Sequence, residues 1–511
     1  MSHPFTPQDL DQLRALAIGK NLALDQLERL QRKSSSVHLL RPCTLGDGIQ
    51  KLPESNLEKW EEWTVAFDRA SQSGDILQFV PASGAASRMM EDLEKIWKSM
   101  ESESPDELAS LAATNNSSAK VVWKIWQNLD QMPCFDFMRN APRSEPGGSL
   151  AEFRKQGLVR SFFREFLHSQ EWGLSQIPKA LIPFHRLAGR AVTPFEEQIR
   201  EAVALSGKRG KARIHFTLAP QHETIFQKNR EQILVLMAKE GLYPEVTFSF
   251  QDPSTQTLAL DDQGELFRDA RGALLLRPGG HGALLTNLEA SGAEFAWIRN
   301  IDNIPVASQR AKGRLLRKAM VGFLIQRTSE RNRILKAWHK HSEVAKAEAL
   351  AWLEALGGST EVQEDLGKAL NRPLRICGFV PNTGEPGGGP FWVMEKQSQT
   401  IRIVESSEMD LQDASQKKIF QSATHFNPVE LVCALRDFQG QPFRLSEFSN
   451  PEAYFTARKT QEGRGLHILE WPGLWNGSMA GWNSLGVEIP LSQFAPVKSL
   501  VDLLRPEHQG L

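Results

Sequence analysis

The stretch of this chain that best suits chemistry is a row of small side chains followed by an arginine, residues 81–88 (PASGAASR). A short apolar run at 76–80 precedes it, and apolar residues at helical spacing begin with Met89. Small side chains let backbone N–H groups approach a ligand, and a helix N-terminus carries partial positive charge. The stretch therefore predicts a strand, a phosphate-binding turn and a helix, with Arg88 as a further donor. A turn that only packs the strand against the helix is the alternative.

Two further positions could supply charge to such a site. Lys179 lies between a proline and a short apolar run, where its flexible side chain could reach a phosphate. Asp302 follows the apolar run 295–298, and ligands of parallel α/β sheets lie beyond the carboxyl ends of the strands. A carboxylate there could hold Mg²⁺, which takes few protein carboxylates together with substrate phosphates. A surface lysine and an Asx-turn cap are the alternative interpretations.

Glycines follow another predicted strand, in residues 277–282 (RPGGHG). Glycine allows the backbone to approach a base or a sugar closely, and His281 adds a side chain that can donate or accept a hydrogen bond. This segment is therefore a second candidate for ligand binding. A turn whose histidine serves only the local structure is the alternative.

The composition is that of an ordinary globular protein, with 511 residues, 41% of them hydrophobic and 24% charged. The net charge of −1 predicts no general attraction to nucleic acid or acidic membranes. Arg and Lys are frequent in 310–340, but acidic residues return from Glu343, so we interpret this stretch as a solvated helical face. The sequence shows neither a secretory signal pattern nor a long apolar run. We therefore expect a cytoplasmic protein without nucleic-acid or membrane partners.

The spacing of apolar residues predicts an α/β protein with a helical N-terminal region at 1–72. Apolar and polar residues alternate over 214–218 and 246–250, as in strands, and a helical pattern at 224–237 separates them. Strands that alternate with helices favour a mainly parallel sheet. We predict that the rest of the chain consists of an α/β core at 73–435, with a large helical insertion at about 89–177, and a C-terminal region at 436–511.

Six short segments, taken in chain order, resemble motifs of the UDP-sugar pyrophosphorylases that act on UDP-N-acetylhexosamines, within the nucleotide-diphospho-sugar transferase superfamily. Residues 82–89 (ASGAASRM) resemble a GGxGTRL loop, and Pro178 with Lys179 resembles a proline–lysine motif. The other segments, similar to PDGNGG, VDN, VEYSE and F-[AS]-P-[LV]-K, are 278–282 (PGGHG), 301–304 (IDNI), 404–408 (VESSE) and 494–498 (FAPVK). The whole chain is similar to an uncharacterised bacterial family defined only as a domain of unknown function.

This resemblance implies a Rossmann-like, mainly parallel sheet of the nucleotide-diphospho-sugar transferase (GT-A-like) type. It implies a reaction of a nucleoside triphosphate, UTP favoured, with a sugar 1-phosphate to give a nucleotide sugar and pyrophosphate, with Mg²⁺ as cofactor. Arg88, Lys179 and Lys498 would be catalytic, the C-terminal region returning Lys498 to the site, and Asp302 would hold the metal. The resemblance assigns nucleotide binding to Ala82, Ser83, Gly84, Ala85, Ser87, Gln251, Gly279 and Gly280, and sugar binding to His281, Glu405 and Asn427.

Two departures from the family pattern leave alternatives open. Ala86 replaces the last loop glycine, which matters if that position needs a positive φ, and the interval from Arg88 to Lys179 is far longer than in the family. A non-catalytic nucleotide-sugar-binding or scaffold protein is one alternative, with the insertion as the surface for a protein partner. A glycosyltransferase on the same fold is another, although Asp302 has asparagines rather than a second aspartate beside it. A Rossmann dehydrogenase is disfavoured, because the loop lacks GxGxxG spacing.

Overall fold

A computed structural model describes residues 4–32, 37–53, 56–136, 150–169, 173–174, 177–207, 209–340, 342–356, 365–385, 387–395, 398–410, 412–461 and 464–510. The chain forms two compact units, each assembled from separate stretches. The first unit comprises Met1–Phe79, Thr247–Ile298 and Arg317–Pro490, and the second comprises Val80–Val246, Arg299–Leu316 and Leu491–Leu511. This grouping differs from the three consecutive regions that we predict from the sequence.

Helices and strands alternate along much of the described chain. The helices are α1 (Pro7–Ala15), α2 (Lys20–Gln31), α3 (Leu57–Ser73), α4 (Glu91–Ser99), α5 (Pro105–Ala113), α6 (Ser117–Gln127), α7 (Leu150–Gln156), α8 (Val159–His168), α9 (Pro194–Ser206), α10 (Glu223–Lys239), α11 (Leu285–Ala290), α12 (Ala307–Trp338), α13 (Glu343–Glu354), α14 (Leu366–Leu370), α15 (Ala414–Gln421) and α16 (Pro506–Gln509). The strands are β1 (Leu39–Pro42), β2 (Thr44–Leu45), β3 (Gly48–Lys51), β4 (Ile76–Pro81), β5 (His185–Leu187), β6 (Arg190–Val192), β7 (Arg213–Leu218), β8 (Glu245–Phe250), β9 (Thr257–Asp261), β10 (Leu276–Arg277), β11 (Phe295–Ile298), β12 (Leu374–Pro381), β13 (Gly388–Glu395), β14 (Ser398–Glu405), β15 (His425–Ala434), β16 (Phe455–Gln461), β17 (Arg464–Glu470) and β18 (Asn483–Glu488).

The first unit is built around a sheet whose strands lie in the order β2-β3-β18-β12-β15-β11-β4. β4 pairs in parallel with β11, and both β12 and β3 pair in parallel with β18. β15 runs antiparallel to β11 and β12. It begins beside the end of β12, where Pro381 pairs with His425, so the chain returns in the opposite direction. The α/β prediction is confirmed, and among these described strands four pairs are parallel and two, both made by β15, are antiparallel.

The N-terminal helices α1 and α2 pack against another sheet of the first unit, with strand order β10-β9-β17-β16. Leu13 and Leu30 from the helices share a hydrophobic cluster with Leu258 from β9. Asp9 at the start of α1 binds Arg268, and this hydrogen bond lowers the pKa of Asp9 to about 2. Residues 1–72 therefore hold helices α1 to α3, as expected, together with the short strands β1 to β3.

The second unit contains helices α4 to α8 between β4 and the hairpin formed by β5 and β6. Residues at the start of some of these helices favour helix initiation. Ser104 and Asn116 accept backbone hydrogen bonds as N-caps, and Pro105 occupies the first turn of α5. The apolar faces of the helices meet in one cluster that includes Phe135 and Phe162. The described residues of the predicted insertion thus form helices and turns, and the cluster gives the second unit its own core.

No helix among the described residues is long and apolar enough to cross a membrane. Cys43, Cys134, Cys377 and Cys433 are buried free thiols. Burial raises the pKa of each of these thiols. They are therefore unreactive packing residues at neutral pH.

Candidate functional site

The predicted strand, turn and helix at 76–99 are all present. β4 ends at Pro81, and α4 begins at Glu91 after a turn. The Ala82 backbone N–H donates to the Thr217 carbonyl at 2.9 Å, which holds the start of the turn in the second unit. Gly84, Ala85, Ser87 and Arg88 are exposed, and Ser83 is half-buried. The turn therefore presents backbone groups and a guanidinium to solvent, where an anion could reach them.

Ala86 does not disturb this turn. Outside glycine, positive φ occurs in the described chain at Ala17 and Ala188, so Ala86 has an ordinary backbone conformation. Its methyl group is buried, with 1% of the residue exposed, and belongs to the hydrophobic cluster of the second unit. The turn is thus built without a left-handed residue at this position, and the alanine adds to the core beneath it.

Lys179 is attached directly to this turn. Its backbone N–H donates to the Gly84 carbonyl at 3.2 Å, and Pro178 forms an antiparallel bridge with Ala85. Lys179 opens a short 3₁₀ helix, Lys179–Leu181. Its ammonium Nζ lies 2.6 Å from Asp302 Oδ2, and the two side chains are 15% and 24% exposed. The structure therefore brings together a cation, a carboxylate and the small-residue turn, although Lys179 and Asp302 lie 123 positions apart in the sequence.

The C-terminal segment that carries Lys498 also reaches the Asp302 loop. The Val497 backbone N–H donates to the Asp302 carbonyl at 3.1 Å. The Lys498 backbone N–H donates to Asp502 Oδ2 at 2.8 Å, and the Lys498 side chain is half-buried. Val497 belongs to the same hydrophobic cluster as Ala86. One core therefore supports the loop before Arg88, the Asp302 loop and the segment of Lys498.

A buried ionic network lies next to the Asp302 loop, and sequence reasoning missed it. Helix α9 supplies Glu197 and Glu201, which pair with Arg310 of α12 at 2.7 and 3.4 Å. His185 Nδ1 lies 2.7 Å from Glu197 Oε2, and His185 Nε2 lies 2.9 Å from His508 Nδ1. Burial, reinforced by the charges of His185 and Arg505, lowers the pKa of His508 to about 3. The sequence shows two acidic residues one helical turn apart beside Ile199 and Phe195. This pattern is the same as that of a solvent-exposed helix face, so it did not predict a buried network.

The glycine turn of the first unit is explained by packing alone. A Cβ at Gly282 would lie 1.8 Å from the Pro472 carbonyl oxygen, and a Cβ at Gly279 would lie 2.3 Å from Trp471 Cδ1. Gly280 has φ +79°, a conformation that favours glycine. His281 is exposed. The structure thus requires glycine in this turn whether or not a nucleotide binds there.

Gln251 and Gly279, both predicted to bind the nucleotide, meet at Thr255. Gln251 Nε2 donates to Thr255 Oγ1 at 3.1 Å. A Cβ at Gly279 would lie 2.5 Å from the Thr255 carbonyl oxygen, which also accepts a hydrogen bond from Trp471 Nε1 at 2.7 Å. These two predicted residues are therefore neighbours in the first unit.

The predicted sugar-binding pair is also brought together in the first unit. Asn427 Nδ2 donates to Glu405 Oε1 at 2.8 Å. Glu408, one turn later, accepts hydrogen bonds from the Glu405 backbone N–H and from Asn476 Nδ2, each at 2.8 Å. Burial raises the pKa of Glu408 to about 7. Glu405 and Asn427 thus form a polar pair beside a buried carboxyl that sequence reasoning did not assign.

The residues around Asp302 fit a magnesium ion only in part. Within the described ranges, no group of three or more His, Cys, Asp and Glu side chains could hold a metal. Asp302 Oδ2 accepts from Lys179, so a metal would rely on the other oxygen of this carboxylate together with phosphate oxygens and water. Mg²⁺ tolerates such a set, because it keeps several waters and often uses one or two carboxylates.

Comparison with solved structures identifies the fold. A UDP-N-acetylglucosamine pyrophosphorylase from Trypanosoma brucei, in complex with an inhibitor, is similar with a TM-score of 0.50 and 15% identity, covering 98% of this chain and 79% of that chain. A UDP-glucose pyrophosphorylase variant from Leishmania major, in complex with UDP-glucose, is similar with a TM-score of 0.45 and 13% identity, covering 97% and 77%. A UDP-glucose phosphorylase from Trypanosoma brucei gives a TM-score of 0.45 and 12% identity, covering 98% and 78%. The first of these proteins shares its fold with this chain.

Sequence comparison identifies the family. No curated protein sequence matches the chain. The family model described as "Domain of unknown function (DUF4301)" matches residues 6–509. Because this match spans nearly all of the sequence, the chain belongs to the DUF4301 family.

Proposed function

We propose that this protein is a sugar-1-phosphate nucleotidyltransferase of the UDP-sugar pyrophosphorylase type. The observation that carries the proposal is the 2.6 Å contact between Lys179 and Asp302, beside the turn of small residues that precedes Arg88. Two of the predicted ionic residues meet there, although no local pattern links them. The fold shared with a UDP-N-acetylglucosamine pyrophosphorylase supports the proposal. We also propose that the core of the chain is of the GT-A-like type.

The proposed reaction needs positioning and charge neutralisation rather than a covalent nucleophile. A phosphate oxygen of the sugar 1-phosphate attacks the α-phosphorus of the nucleoside triphosphate. A new P–O bond forms while the bond from the α-phosphorus to the oxygen that bridges to the β-phosphate breaks, and pyrophosphate leaves with that electron pair. Arg88, Lys179 and Lys498 stabilise the negative charge of the phosphates, which is the largest protein contribution in such transfers.

Lys179 plays the central part in this proposal. In the structure its ammonium group is held by Asp302, on a backbone that is hydrogen-bonded to the turn at Gly84. Triphosphate oxygens arriving at the exposed turn are a second anionic partner within reach of a flexible lysine side chain. Asp302 therefore keeps Lys179 oriented before the substrate binds. A charge-assisted bond of this kind contributes about 1.5–3 kcal/mol.

Mg²⁺ is the proposed cofactor, with Asp302 as its protein ligand. When bound, it would neutralise phosphate charge and align the triphosphate. Asp302 would hold it through a carboxylate oxygen while Lys179 turns to the phosphates. The residues of this chain thus supply one carboxylate, and the substrate supplies the other anionic ligands.

The proposed substrates are UTP and a hexosamine 1-phosphate. Gln251, Gly279 and Gly280 are proposed to contact the base, and the turn residues Ala82, Ser83, Gly84, Ala85 and Ser87 to contact the phosphates. The sugar is proposed to meet His281 and the pair formed by Glu405 and Asn427, in which Asn427 Nδ2 donates to Glu405 Oε1 at 2.8 Å. A cytoplasmic location and a protein partner for the helical insertion at about 89–177 are further predictions.

A substrate panel tests this function. Thermal shift with UTP, CTP, ATP and GTP, each with Mg²⁺, should show the largest stabilisation with UTP. UTP with N-acetylglucosamine 1-phosphate should then release pyrophosphate and form the nucleotide sugar. Binding without pyrophosphate release would favour a non-catalytic nucleotide-sugar sensor. Consumption of a nucleotide sugar with an acceptor would favour a glycosyltransferase, and no shift with any nucleotide would overturn the enzyme proposals together.

A further inference from the structure

Asn303 joins the Asp302 loop to the C-terminal segment through both ends of its side-chain amide. Its Oδ1 accepts from the Ala495 backbone N–H at 2.8 Å, and its Nδ2 donates to the Gln493 carbonyl at 3.2 Å. The Asn303 backbone also forms an antiparallel bridge with Pro496. With the bond from Val497 to the Asp302 carbonyl, these contacts fix the five residues that lead into Lys498.

A buried arginine, Arg299, stabilises the Asp302 loop at its junction with the C-terminal segment. Arg299 Nη2 donates to the Asn303 carbonyl at 3.2 Å, and its Nη1 donates to Gln198 Oε1 at 3.3 Å. Gln198 Nε2 in turn donates to the Asn300 carbonyl at 3.3 Å. Arg299, Asn303 and Gln198 are 1%, 3% and 0% exposed. The backbone of the loop at Asn303 is therefore fixed by buried hydrogen bonds of its own.

The C-terminal segment packs against a glycine of α12. A Cβ at Gly313 would lie 2.0 Å from Gln493 Oε1, so the Gln493 side chain packs directly on the helix backbone. Gln493 is 4% exposed. Ile304 and Val497, next to the junction on each side, both belong to the hydrophobic cluster of the second unit. The two segments thus share a hydrophobic core and several hydrogen bonds, two of which are made by the side-chain amide of Asn303.

We infer that Asn303 is a positioning residue for Lys498: its amide sets the distance between the Asp302 loop and the segment that carries this lysine. The inference rests on the proposed nucleotidyl transfer, in which Lys498 acts on the phosphates. A misplacement of about 1 Å can lower a rate about 100-fold. Loss of the amide therefore acts on turnover through Lys498 rather than through contact with substrate.

Kinetics of Asn303→Ala test this role against a merely structural one. We expect kcat to fall about 10- to 100-fold while KM for the nucleoside triphosphate changes less than about threefold. Because Asn303 acts through Lys498, adding Asn303→Ala to Lys498→Ala should lower kcat little further. Adding it to Lys179→Ala should multiply the two losses. If kcat of the Asn303→Ala/Lys498→Ala double variant instead falls by the product of the two single losses, the inference is overturned.

Hydrogen exchange tests the same role without any assay of activity. In Asn303→Ala, the peptide containing 493–498 should exchange at least about tenfold faster, while the β5–β6 hairpin stays protected. Asn300→Ala is the matched control, since the network uses its backbone carbonyl. Asn303→Ser, which keeps a small uncharged polar side chain, should fall between wild type and Asn303→Ala in both measurements, and it replaces the alanine variant if that protein does not fold.

The two measurements separate failure of the inference from failure of the proposed function. If the wild-type protein shows no transferase activity but Asn303→Ala speeds hydrogen exchange at 493–498, the proposed function is wrong while the structural role of Asn303 is supported. If Asn303→Ala leaves both kcat and exchange at 493–498 unchanged, the positioning role is overturned.

Discussion

The two glycine-containing turns of this protein, at 82–88 and at 279–282, resemble nucleotide-binding motifs equally well in sequence but differ in the structure. In the second unit, Gly84 is exposed, and a Cβ there would meet nothing within 4 Å. In the first unit, a Cβ at Gly282 would lie 1.8 Å from the Pro472 carbonyl oxygen. An added methyl at Gly84 would lie in open space, whereas one at Gly282 would overlap the protein's own backbone, so packing alone requires the glycine of the second turn.

This difference shows how to weigh a glycine motif. Glycine at a tight turn is required equally by a ligand and by neighbouring backbone, so the residue type alone does not separate them. The ionic residues separate them better. Lys179 and Asp302 meet beside the turn at 82–88, while the turn at 279–282 is bounded by Trp471 and Pro472. The strongest argument for function therefore lies in the second unit.

The largest effect on stability is expected for Gly282→Ala. The added methyl overlaps the Pro472 carbonyl, a backbone atom that moves only if the turn rearranges. Overpacking costs typically about 1–3 kcal/mol of unfolding free energy, and a clash with a backbone atom places this change at the upper end of that range or above it. Urea denaturation measures the loss, with Gly84→Ala as the matched glycine-to-alanine control. Equal stability of the two variants would show that the two turns do not differ as described.

The next effect concerns pH and the turn that carries Glu405. Burial raises the pKa of Glu408 to about 7, so the folded protein binds this proton more tightly than the unfolded chain does. The stability from this group is present below about pH 4.5 and is lost as the pH rises through about 7. Glu408→Gln lacks this dependence and should gain on wild type by at most about 3 kcal/mol between pH 4.5 and 8. Parallel stability curves from urea titrations over that range would contradict the raised pKa.

A smaller loss is expected for Ala86→Gly, which introduces the last glycine of the GGxGTRL loop that residues 82–89 resemble. The change removes a buried methyl, at about 0.8 kcal/mol, and adds the backbone entropy of glycine, so the unfolding free energy should fall by about 1.5 kcal/mol. Turnover should stay within about twofold of wild type, because Ala86 already has an ordinary φ. A tenfold rise in pyrophosphate release would instead identify the alanine as a defect in the site.

The smallest change in stability is expected for Gly84→Ala. The same variant should nevertheless bind the nucleoside triphosphate more weakly. Without neighbours within 4 Å, the methyl should change the unfolding free energy by less than about 0.5 kcal/mol. It would stand on the exposed backbone that is proposed to meet the phosphates, so KM for the nucleoside triphosphate should rise several-fold. An unchanged KM would remove this turn from the proposed phosphate site.

Local patterns in the sequence predicted what depends on near neighbours. The strand, turn and helix at 76–99 follow from an apolar run, small residues and helical spacing. The N-terminal helices follow from caps such as Thr6, whose side chain accepts from the Asp9 backbone N–H. The antiparallel direction of β15 did not follow, because it depends on where β15 begins relative to β12.

Long-range contacts set the limit of prediction at the site. Local sequence marked Lys179 and Asp302 separately as charged candidates, but nothing in the spacing of residues predicts that positions so far apart meet in a 2.6 Å contact. Asn303 lay within a quoted motif but received no role, because its partners at 493 and 495 come from the far end of the chain. Glu197 and Glu201 were missed because a buried ion pair with Arg310 and an exposed acidic helix face have the same composition.

The most direct test of the central claim is the initial rate of pyrophosphate release by Lys179→Ala beside wild type and Lys228→Ala. Lys228 is an exposed lysine of α10 and controls for the loss of one positive charge. With UTP, N-acetylglucosamine 1-phosphate and Mg²⁺, the Lys179 variant should lose about 100-fold in kcat, about 2.7 kcal/mol of transition-state stabilisation, while the control keeps the wild-type rate. Equal rates for all three proteins would contradict a nucleotidyltransferase site built on the Lys179 and Asp302 pair.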